Sequence, residues 1–268
     1  MLLSKTLFFA SGPGVPVGDE RAKSLSAVAT AGEPQAFLRR AKSERKLIIT
    51  IDGPAGAGKT TMARLLAEKL GYLYLDTGAM YRAITLKAMK EHLDFRDEEA
   101  LVKMARQARI KLKFKPHFKV FLDHQDVSRG IRTPEVTAKV HYLANLLGVR
   151  KVMWRRQRLI GKGGGIVAEG RDTGTIVFPK ADIKFYLEAR SSERARRRQK
   201  DFRLLNRKIG LKKLEEEIKD RDKKDLKRDI APLKKAGDAI IIDTTSLPIE
   251  QVLGKMLGCI YSKTKSKI

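Results

Sequence analysis

Short apolar runs alternate with longer amphipathic stretches from residue 47 onward. Five of the runs are candidate strands, and most are too continuously apolar to have a face in water: 47–52 (LIITID), 72–76 (YLYLD), 165–170 (GIVAEG), 183–188 (IKFYLE) and 239–244 (AIIIDT). Runs of this kind are typical of parallel strands that are covered on both faces. The pattern therefore predicts an α/β fold in which helices flank a five-stranded parallel sheet.

Two helices between and after these strands have a clear period. Residues 60–70 and 249–260 carry apolar positions at three- and four-residue spacing, and Gly71 is suited to end the first helix. The apolar sides consist of Met62, Leu65, Leu66 and Leu70 in the first helix and of Ile249, Val252, Leu253, Met256, Leu257 and Ile260 in the second. We expect both sides to pack on the sheet.

One segment breaks the alternation of strands and helices. In residues 109–128, Ile110, Leu112 and Phe114 alternate with lysines, Pro116 follows, and a second apolar run comes after it. This order predicts an antiparallel hairpin that turns near the proline. Because it lies between the second and third predicted core strands, the hairpin is an insertion.

Length and charge narrow the class of protein only modestly. The 268 residues suffice for one main domain with a sizeable core. Lys and Arg number 57 against 31 Asp and Glu, and the formal net charge of +26 attracts anions such as nucleotides, nucleic acids or acidic membranes. A generally basic, solvated surface would have the same composition.

Cysteine content and hydropathy exclude further classes. Cys259 is the only cysteine, which rules out an internal disulfide and a cysteine-cluster metal site and is consistent with a reducing, cytoplasmic setting. No run reaches the ~18 apolar residues that a bilayer span needs, so no membrane partner is expected. Residues 1–46 are rich in Gly, Pro, Ser and Ala without a sustained period, and we interpret them as a flexible N-terminal tail.

A phosphate-binding motif follows the first strand. Gly53, Gly58, Lys59 and Thr60 match the G-x-x-x-x-G-K-[ST] pattern between a strand and a helix. In such a loop, backbone N–H groups and the lysine hold phosphates, and the threonine hydroxyl can bind Mg²⁺. The predicted ATP-binding residues are Gly53, Pro54, Ala55, Gly56, Ala57, Gly58, Lys59, Thr60 and Thr61. The motif alone leaves ATPase, GTPase and kinase open, although no guanine-reading N-K-x-D is present.

Longer motifs together resemble the bacterial cytidylate (CMP) kinases. They occur in order between about residues 46 and 258: IDGPAGAGKTT, LYLDTGAMYRAIT, IRTPEV, RRQR, VAEGRDTGTIVFPKADIKFYLEA, ERARRRQ and IKDRDKKDLKRDIAPLKKAGDAIIIDTT. The resemblance implies a P-loop kinase that transfers the γ-phosphate of ATP to CMP or dCMP with Mg²⁺. We expect this kinase to act as a monomer in the cytoplasm. The resemblance also implies a kinase domain over residues 47–268, with a monophosphate-binding insertion at about 104–145 and a short lid at about 191–208.

The resemblance assigns residues to the phosphate and ribose of CMP. Arg82, Arg171 and Arg228 are expected to hold the phosphate, which must point an oxygen at the γ-phosphorus of ATP. Arg221 and Asp225 are expected to bind the ribose hydroxyls. From spacing alone, this last pair would form an i, i+4 salt bridge on a helix surface.

The cytosine base has its own candidates. A carboxylate can accept from the cytosine amino group and would repel O4 of uracil, and an arginine can donate to N3 and O2. The resemblance gives these roles to Asp172 and Arg150; without it they would be an ordinary ion-paired aspartate and a helix-surface arginine. Thr77, His141 and Gly170 complete the expected CMP site. His141 stands where relatives often place a small hydroxyl residue.

Catalytic groups are predicted on the lid and at the third strand. Arg194, Arg197 and Arg198 recur on one helical side and, with Lys59, are expected to stabilise the transferred phosphoryl group. A basic helix with a solvated surface is the alternative. Thr60 and Glu169 are expected to hold Mg²⁺, Glu169 directly or through a water; otherwise Glu169 is a buried ion-pair partner. Without substrates, we expect the lid and the insertion to be withdrawn or poorly ordered.

Two other functions compete with this interpretation. A basic nucleic-acid-binding protein with a vestigial P-loop would suit the net charge, but clustered aromatic residues for stacking and an RNA-binding motif are missing from the sequence. We therefore expect no specific nucleic-acid partner. A kinase for another nucleoside monophosphate would share the P-loop and the lid, so only the acceptor residues discriminate between the two kinases.

Overall fold

The computed structural model describes residues 46–114, 117–204 and 209–265. The predicted tail, apart from Lys46, lies outside the described residues. So do Pro116 of the predicted hairpin turn and residues 205–208 of the predicted lid.

Eight strands and eight α-helices are found in the described ranges. In chain order they are β1 (Ile48–Asp52), α1 (Lys59–Leu70), β2 (Leu73–Asp76), α2 (Thr77–Lys90), α3 (Glu98–Gln107), β3 (Ile110–Lys113), β4 (Lys119–Leu122), β5 (Gln125–Asp126), α4 (Pro134–Asn145), α5 (Leu147–Gly161), β6 (Ile166–Gly170), β7 (Ile183–Glu188), α6 (Ser191–Leu204), α7 (Leu211–Leu226), β8 (Ile240–Asp243) and α8 (Ile249–Lys265). None of these helices combines the length and apolar character of a membrane span.

The predicted five-stranded parallel sheet is confirmed. Its strands lie in the order β2-β6-β1-β7-β8, and β1 pairs in parallel with both β6 and β7. In this register Asp52 at the end of β1 lies opposite Gly170 on β6 and Tyr186 on β7. The carboxyl ends of the strands therefore meet at one edge, where open α/β sheets bind ligands.

Helices pack on both faces of the sheet, because the core strands bury apolar side chains on each face. On one face, Ile49, Ile51 and Val167 pack with α1 and α8; on the other, Leu75 and Ala168 pack with α2 and α5. The two predicted helices bury most of the apolar positions that their periods indicate. Leu65 and Leu257 are half-buried, and Ile249, the first residue of α8, is exposed.

The predicted antiparallel hairpin is also confirmed. Strands β3 and β4 pair antiparallel with Ile110 opposite Leu122, and the two-residue strand β5 extends them to a three-stranded sheet. The aromatic ring of Phe118 lies 4.8 Å from that of Tyr74 on the edge strand β2. The small sheet thus packs beside the free edge of the main sheet, between α3 and α4 in the chain.

Candidate active site

The loop after β1 has the backbone conformation of a phosphate-binding loop. Gly53, Gly56 and Gly58 have φ angles of 146°, 78° and 88°, which favour glycine. A Cβ on Gly53 would stand 2.1 Å from the carbonyl oxygen of Leu187 on β7, so no side chain fits there. Helix α1 begins directly after the loop at Lys59, and its positive end therefore points at the predicted phosphate position.

Lys59 lies folded over this loop. Its Nζ donates to the carbonyl oxygen of Pro54 at 2.7 Å, and the residue is only 6% exposed. Burial, followed by the positive charge of Arg171, lowers the pKa of Lys59 to about 7. A phosphate beside the ammonium group would offset both effects.

Thr60 and Glu169 lie together at the start of α1 and the end of β6. The Thr60 hydroxyl donates to Glu169 Oε2 at 3.0 Å, and the Tyr74 hydroxyl donates to Oε1. Burial, and then the charge of Asp76, raise the pKa of Glu169. A hydroxyl and a carboxylate at one place are oxygen ligands of the kind that Mg²⁺ binds, so these residues fit the predicted metal role. In the described ranges Glu169 accepts from these two hydroxyl groups and forms no salt bridge, which disagrees with its alternative role as a buried ion-pair partner.

Asp225 of α7 forms ion pairs with two of the arginines that are predicted to bind the CMP phosphate. Its carboxylate accepts from Arg171 Nε at 2.8 Å and from Arg228 Nη2 at 2.6 Å. Although burial raises its pKa, the charges of Arg171 and Arg228 hold the pKa of Asp225 below the usual range. Within the described part of the chain the carboxylate has no ion pair with Arg221, so the surface i, i+4 bridge is not the arrangement found.

Arg82 and Arg221 belong to the same electropositive region. Arg82 pairs with Asp76 at 3.3 Å across the first turn of α2. Arg221 reaches solvent, yet partial desolvation, and then the charge of Arg171, lower its pKa to about 10; Arg82 acts in the same direction. The structure therefore brings the predicted phosphate and ribose residues close enough for their charges to interact.

Arg150 and Asp172 are paired inside the protein. Arg150 is 2% exposed, and its Nη1 donates to Asp172 Oδ2 at 2.9 Å. The alternative of a helix-surface arginine is wrong, because α5 turns this side chain toward the interior. Trp154, which the sequence interpretation missed, donates from Nε1 to the same oxygen at 2.9 Å.

His141 differs from the other predicted base-site residues in its surroundings. It is exposed on α4, and its ring centroid lies 4.0 Å from that of Tyr142. No hydrogen bond from His141 to Asp172 or Arg150 is present in the described ranges. Its role in binding CMP stays a prediction.

Asp52, another residue that sequence reasoning missed, anchors the segment after β6. Its carboxylate accepts from the backbone N–H groups of Thr173 and Gly174, at 3.0 and 2.7 Å, and from the Thr173 hydroxyl at 2.8 Å. The end of the phosphate-binding strand thus fixes the residues that follow Asp172. Beside it, Thr77 donates to the carbonyl oxygen of Glu169 at 2.7 Å, and a Cβ on Gly170 would stand 2.6 Å from the Thr77 hydroxyl.

The three lid arginines have different neighbours. Arg194 donates to the carbonyl oxygen of Ala55 in the loop and to Asp222 on α7. Arg197 donates to Thr244, and its Nη1 lies 3.9 Å from where a Cβ on Gly58 would stand. The Arg198 guanidinium lies 4.8 Å from the ring centre of Phe202. Arg194 and Arg197 therefore lie against the phosphate-binding loop.

These features define a class of protein. A glycine loop that can hold one phosphate chain lies at the same sheet edge as an arginine cluster that can hold a second anion. This arrangement is that of a P-loop kinase, because a hydrolase needs no second anion site.

Comparison with known proteins gives the family. The family model described as cytidylate kinase matches residues 49–262. A cytidylate kinase of Desulforamulus reducens is 46% identical over 78% of this chain and 94% of its own, and one of Bacillus subtilis is 45% identical over 83% and 100%. This chain belongs to the cytidylate kinase family. Among solved structures, a shikimate kinase from Acinetobacter baumannii in complex with shikimate matches with 19% identity and a TM-score of 0.43, over 85% of this chain and 97% of that one.

Proposed function

We propose that this protein transfers the γ-phosphate of ATP to CMP or dCMP and so forms ADP and CDP or dCDP. Membership of the family supports the reaction. The observation that carries the choice of acceptor is the buried pair of Arg150 and Asp172 beside the arginine cluster. Together these two residues offer a donor and an acceptor to a base whose phosphate the cluster holds.

The ATP site would be the loop of residues 53–61. Its glycines allow close approach of a phosphate chain, and Lys59 would move from the Pro54 carbonyl to the β- and γ-phosphates. Thr60 and Glu169 would hold Mg²⁺, directly or through water. When bound, the ion would neutralise phosphate charge and orient the γ-phosphate.

The CMP site would use the groups on the other side of the sheet edge. Arg82, Arg171 and Arg228 would hold the phosphate, and Arg221 and Asp225 the ribose. For the base, Asp172 would accept from the cytosine amino group and Arg150 would donate to N3 and O2. Thr77, His141 and Gly170 would complete this site.

The chemical step would need positioning and charge stabilisation rather than a strong base. An oxygen of the CMP phosphate, ionised at neutral pH, would attack the γ-phosphorus as the bond to the ADP oxygen breaks. Lys59 and the lid residues Arg194, Arg197 and Arg198 would stabilise the negative charge on the migrating group. Closure of the lid and of the insertion would exclude water and so limit hydrolysis of ATP.

A coupled assay of ADP release tests this proposal. ADP should form rapidly with ATP, Mg²⁺ and CMP together, and only slowly when CMP is omitted. Lys59→Ala should lower kcat by at least about a hundredfold, whereas Arg228→Ala should mainly raise the KM for CMP. Arg96→Ala, at an exposed arginine between α2 and α3, is the matched control. ADP release that is independent of CMP would contradict the proposal.

The proposed function also includes an oligomeric state and a cellular location. We propose that the enzyme acts as a monomer and in the cytoplasm. Sedimentation at micromolar concentration, with and without substrates, tests the first property, and a dimer would overturn it.

A further inference from the structure

Trp154 holds the carboxylate that we assign to the cytosine base. It is the only tryptophan in the chain and lies one helical turn after Arg150 on α5. Its indole Nε1 donates to Asp172 Oδ2 at 2.9 Å, the same oxygen that accepts from Arg150 Nη1 at 2.9 Å. The Arg150 guanidinium also lies 5.8 Å from the Trp154 ring centre and 5.5 Å from that of Tyr81.

The two oxygens of Asp172 are therefore unequal. Oδ2 takes two nitrogen donors, whereas no residue in the described ranges donates to Oδ1. The terminal torsion of an aspartate is broad, so a carboxylate held by one donor could rotate and exchange its oxygens. A second donor on a rigid ring, fixed in the same helix as the first, limits that rotation.

We infer that Trp154 is a positioning residue for acceptor selection: by holding Asp172 Oδ2 it leaves Oδ1 to accept from the cytosine amino group. The inference rests on the proposed function, because only a base with an exocyclic amino donor gains from this arrangement. Uracil presents the O4 oxygen to a fixed carboxylate and is repelled. Trp154 therefore increases the preference for CMP over UMP without contact with the reacting phosphates.

Trp154→Phe tests the inference, because it keeps an aromatic ring and removes the donor. A hydrogen bond to a charged group is involved, so we expect the ratio of kcat/KM for CMP to that for UMP to fall about tenfold. The change should come from a raised KM for CMP, with kcat and the KM for ATP near wild type. Trp154→His, which retains a ring N–H, should recover part of the ratio.

A structural role alone would lower kcat/KM for CMP and UMP equally and would leave the ratio unchanged; that result would overturn the inference. The outcome is separate from that of the proposed function. If the wild-type enzyme uses UMP as well as CMP, the acceptor assignment itself fails. If the wild type prefers CMP and Trp154→Phe keeps the full preference, only the role of Trp154 fails.

The wild-type protein gives a second measurement that needs no variant. Because Trp154 is the only tryptophan, intrinsic fluorescence excited at its indole reports on this position alone. Titration with CMP should change the emission with the same midpoint as calorimetric CMP binding. Unchanged emission at saturating CMP would overturn the inference.

Discussion

Lys59 is the residue whose charge state responds most directly to a bound phosphate. In the free protein its pKa is lowered to about 7, by burial first and by Arg171 second. A phosphate chain in the loop would raise that pKa, because it supplies the opposite charge at close range. The bound state would then carry more protons than the free state at any pH between the two pKa values.

Binding of ATP at pH 8 should therefore take up a proton. At this pH Lys59 is largely neutral in the free enzyme and charged in the complex, whereas the phosphates of ATP are already ionised. By linkage, the affinity for ATP should fall as the pH rises above about 7. Calorimetry in two buffers of different ionisation enthalpy measures the uptake. Lys59→Met should abolish it, and equal uptake in that variant would contradict the assignment.

Some residues of this site could be predicted from the sequence, and others could not. Lys59 and Thr60 are given by a local motif, because the loop and the helix start are contiguous in the chain. The partners of Asp172 and Glu169 are not local: Trp154 is 18 residues from Asp172, and Tyr74 is 95 residues from Glu169. Neither the indole of Trp154 nor the phenol of Tyr74 has a local sequence signal that predicts such a hydrogen bond.

Among the elements, helix α6 has contacts that link the phosphate-binding loop to α7. Arg194 reaches both the carbonyl oxygen of Ala55 and Asp222 Oδ2, the second at 2.5 Å. The carboxylate of Asp222 thus holds the guanidinium above the loop. The position of Arg194, a predicted catalytic residue, therefore depends on helix α7, which follows α6 in the chain.

Asp222→Asn should weaken ATP use more than CMP use. The amide removes the charge that holds Arg194, so we expect the KM for ATP to rise about three- to tenfold and the KM for CMP to stay near wild type. Steady-state kinetics with each substrate varied measures this. Asp220→Asn, at an exposed aspartate of the same helix, is the matched control. Equal kinetics in both variants would show that α6 does not depend on this contact.

The elements themselves were largely predictable, because their periods are strong. All five core strands and both helices with a clear apolar side follow from the pattern of positions. Strand β5 has only two residues, too few for a period, and the boundary between α4 and α5 at Leu146 carries neither proline nor glycine. The strand order β2-β6-β1-β7-β8 depends on pairing between distant segments, which no local pattern encodes.

At the scale of the whole molecule, the proposed function implies two conformations of the protein. We expect the proposed lid and insertion to close further around the two bound anionic substrates, which would exclude water. The proposed lid comprises residues 191–208 and the proposed insertion residues 104–145. Because these segments are far apart in the chain, the motion of each one has to be measured by its own signals.

Hydrogen exchange should show this closure. With a non-hydrolysable ATP analogue, Mg²⁺ and CMP together, amides in α6 and in residues 104–145 should exchange more slowly than with either nucleotide alone. Amides of α8, which packs with α1 on one face of the sheet, serve as the internal reference. Equal exchange of α6 and the insertion in the free enzyme, with either nucleotide alone and with both together would contradict closure.

The proposed function is tested most directly by the fate of a labelled γ-phosphate across a panel of acceptors. With γ-labelled ATP and Mg²⁺, it predicts label in the β-phosphate of CDP or dCDP. It also predicts that CMP and dCMP are used faster than UMP, AMP, GMP or dTMP. Label found only in inorganic phosphate, or faster transfer to UMP than to CMP, would contradict it.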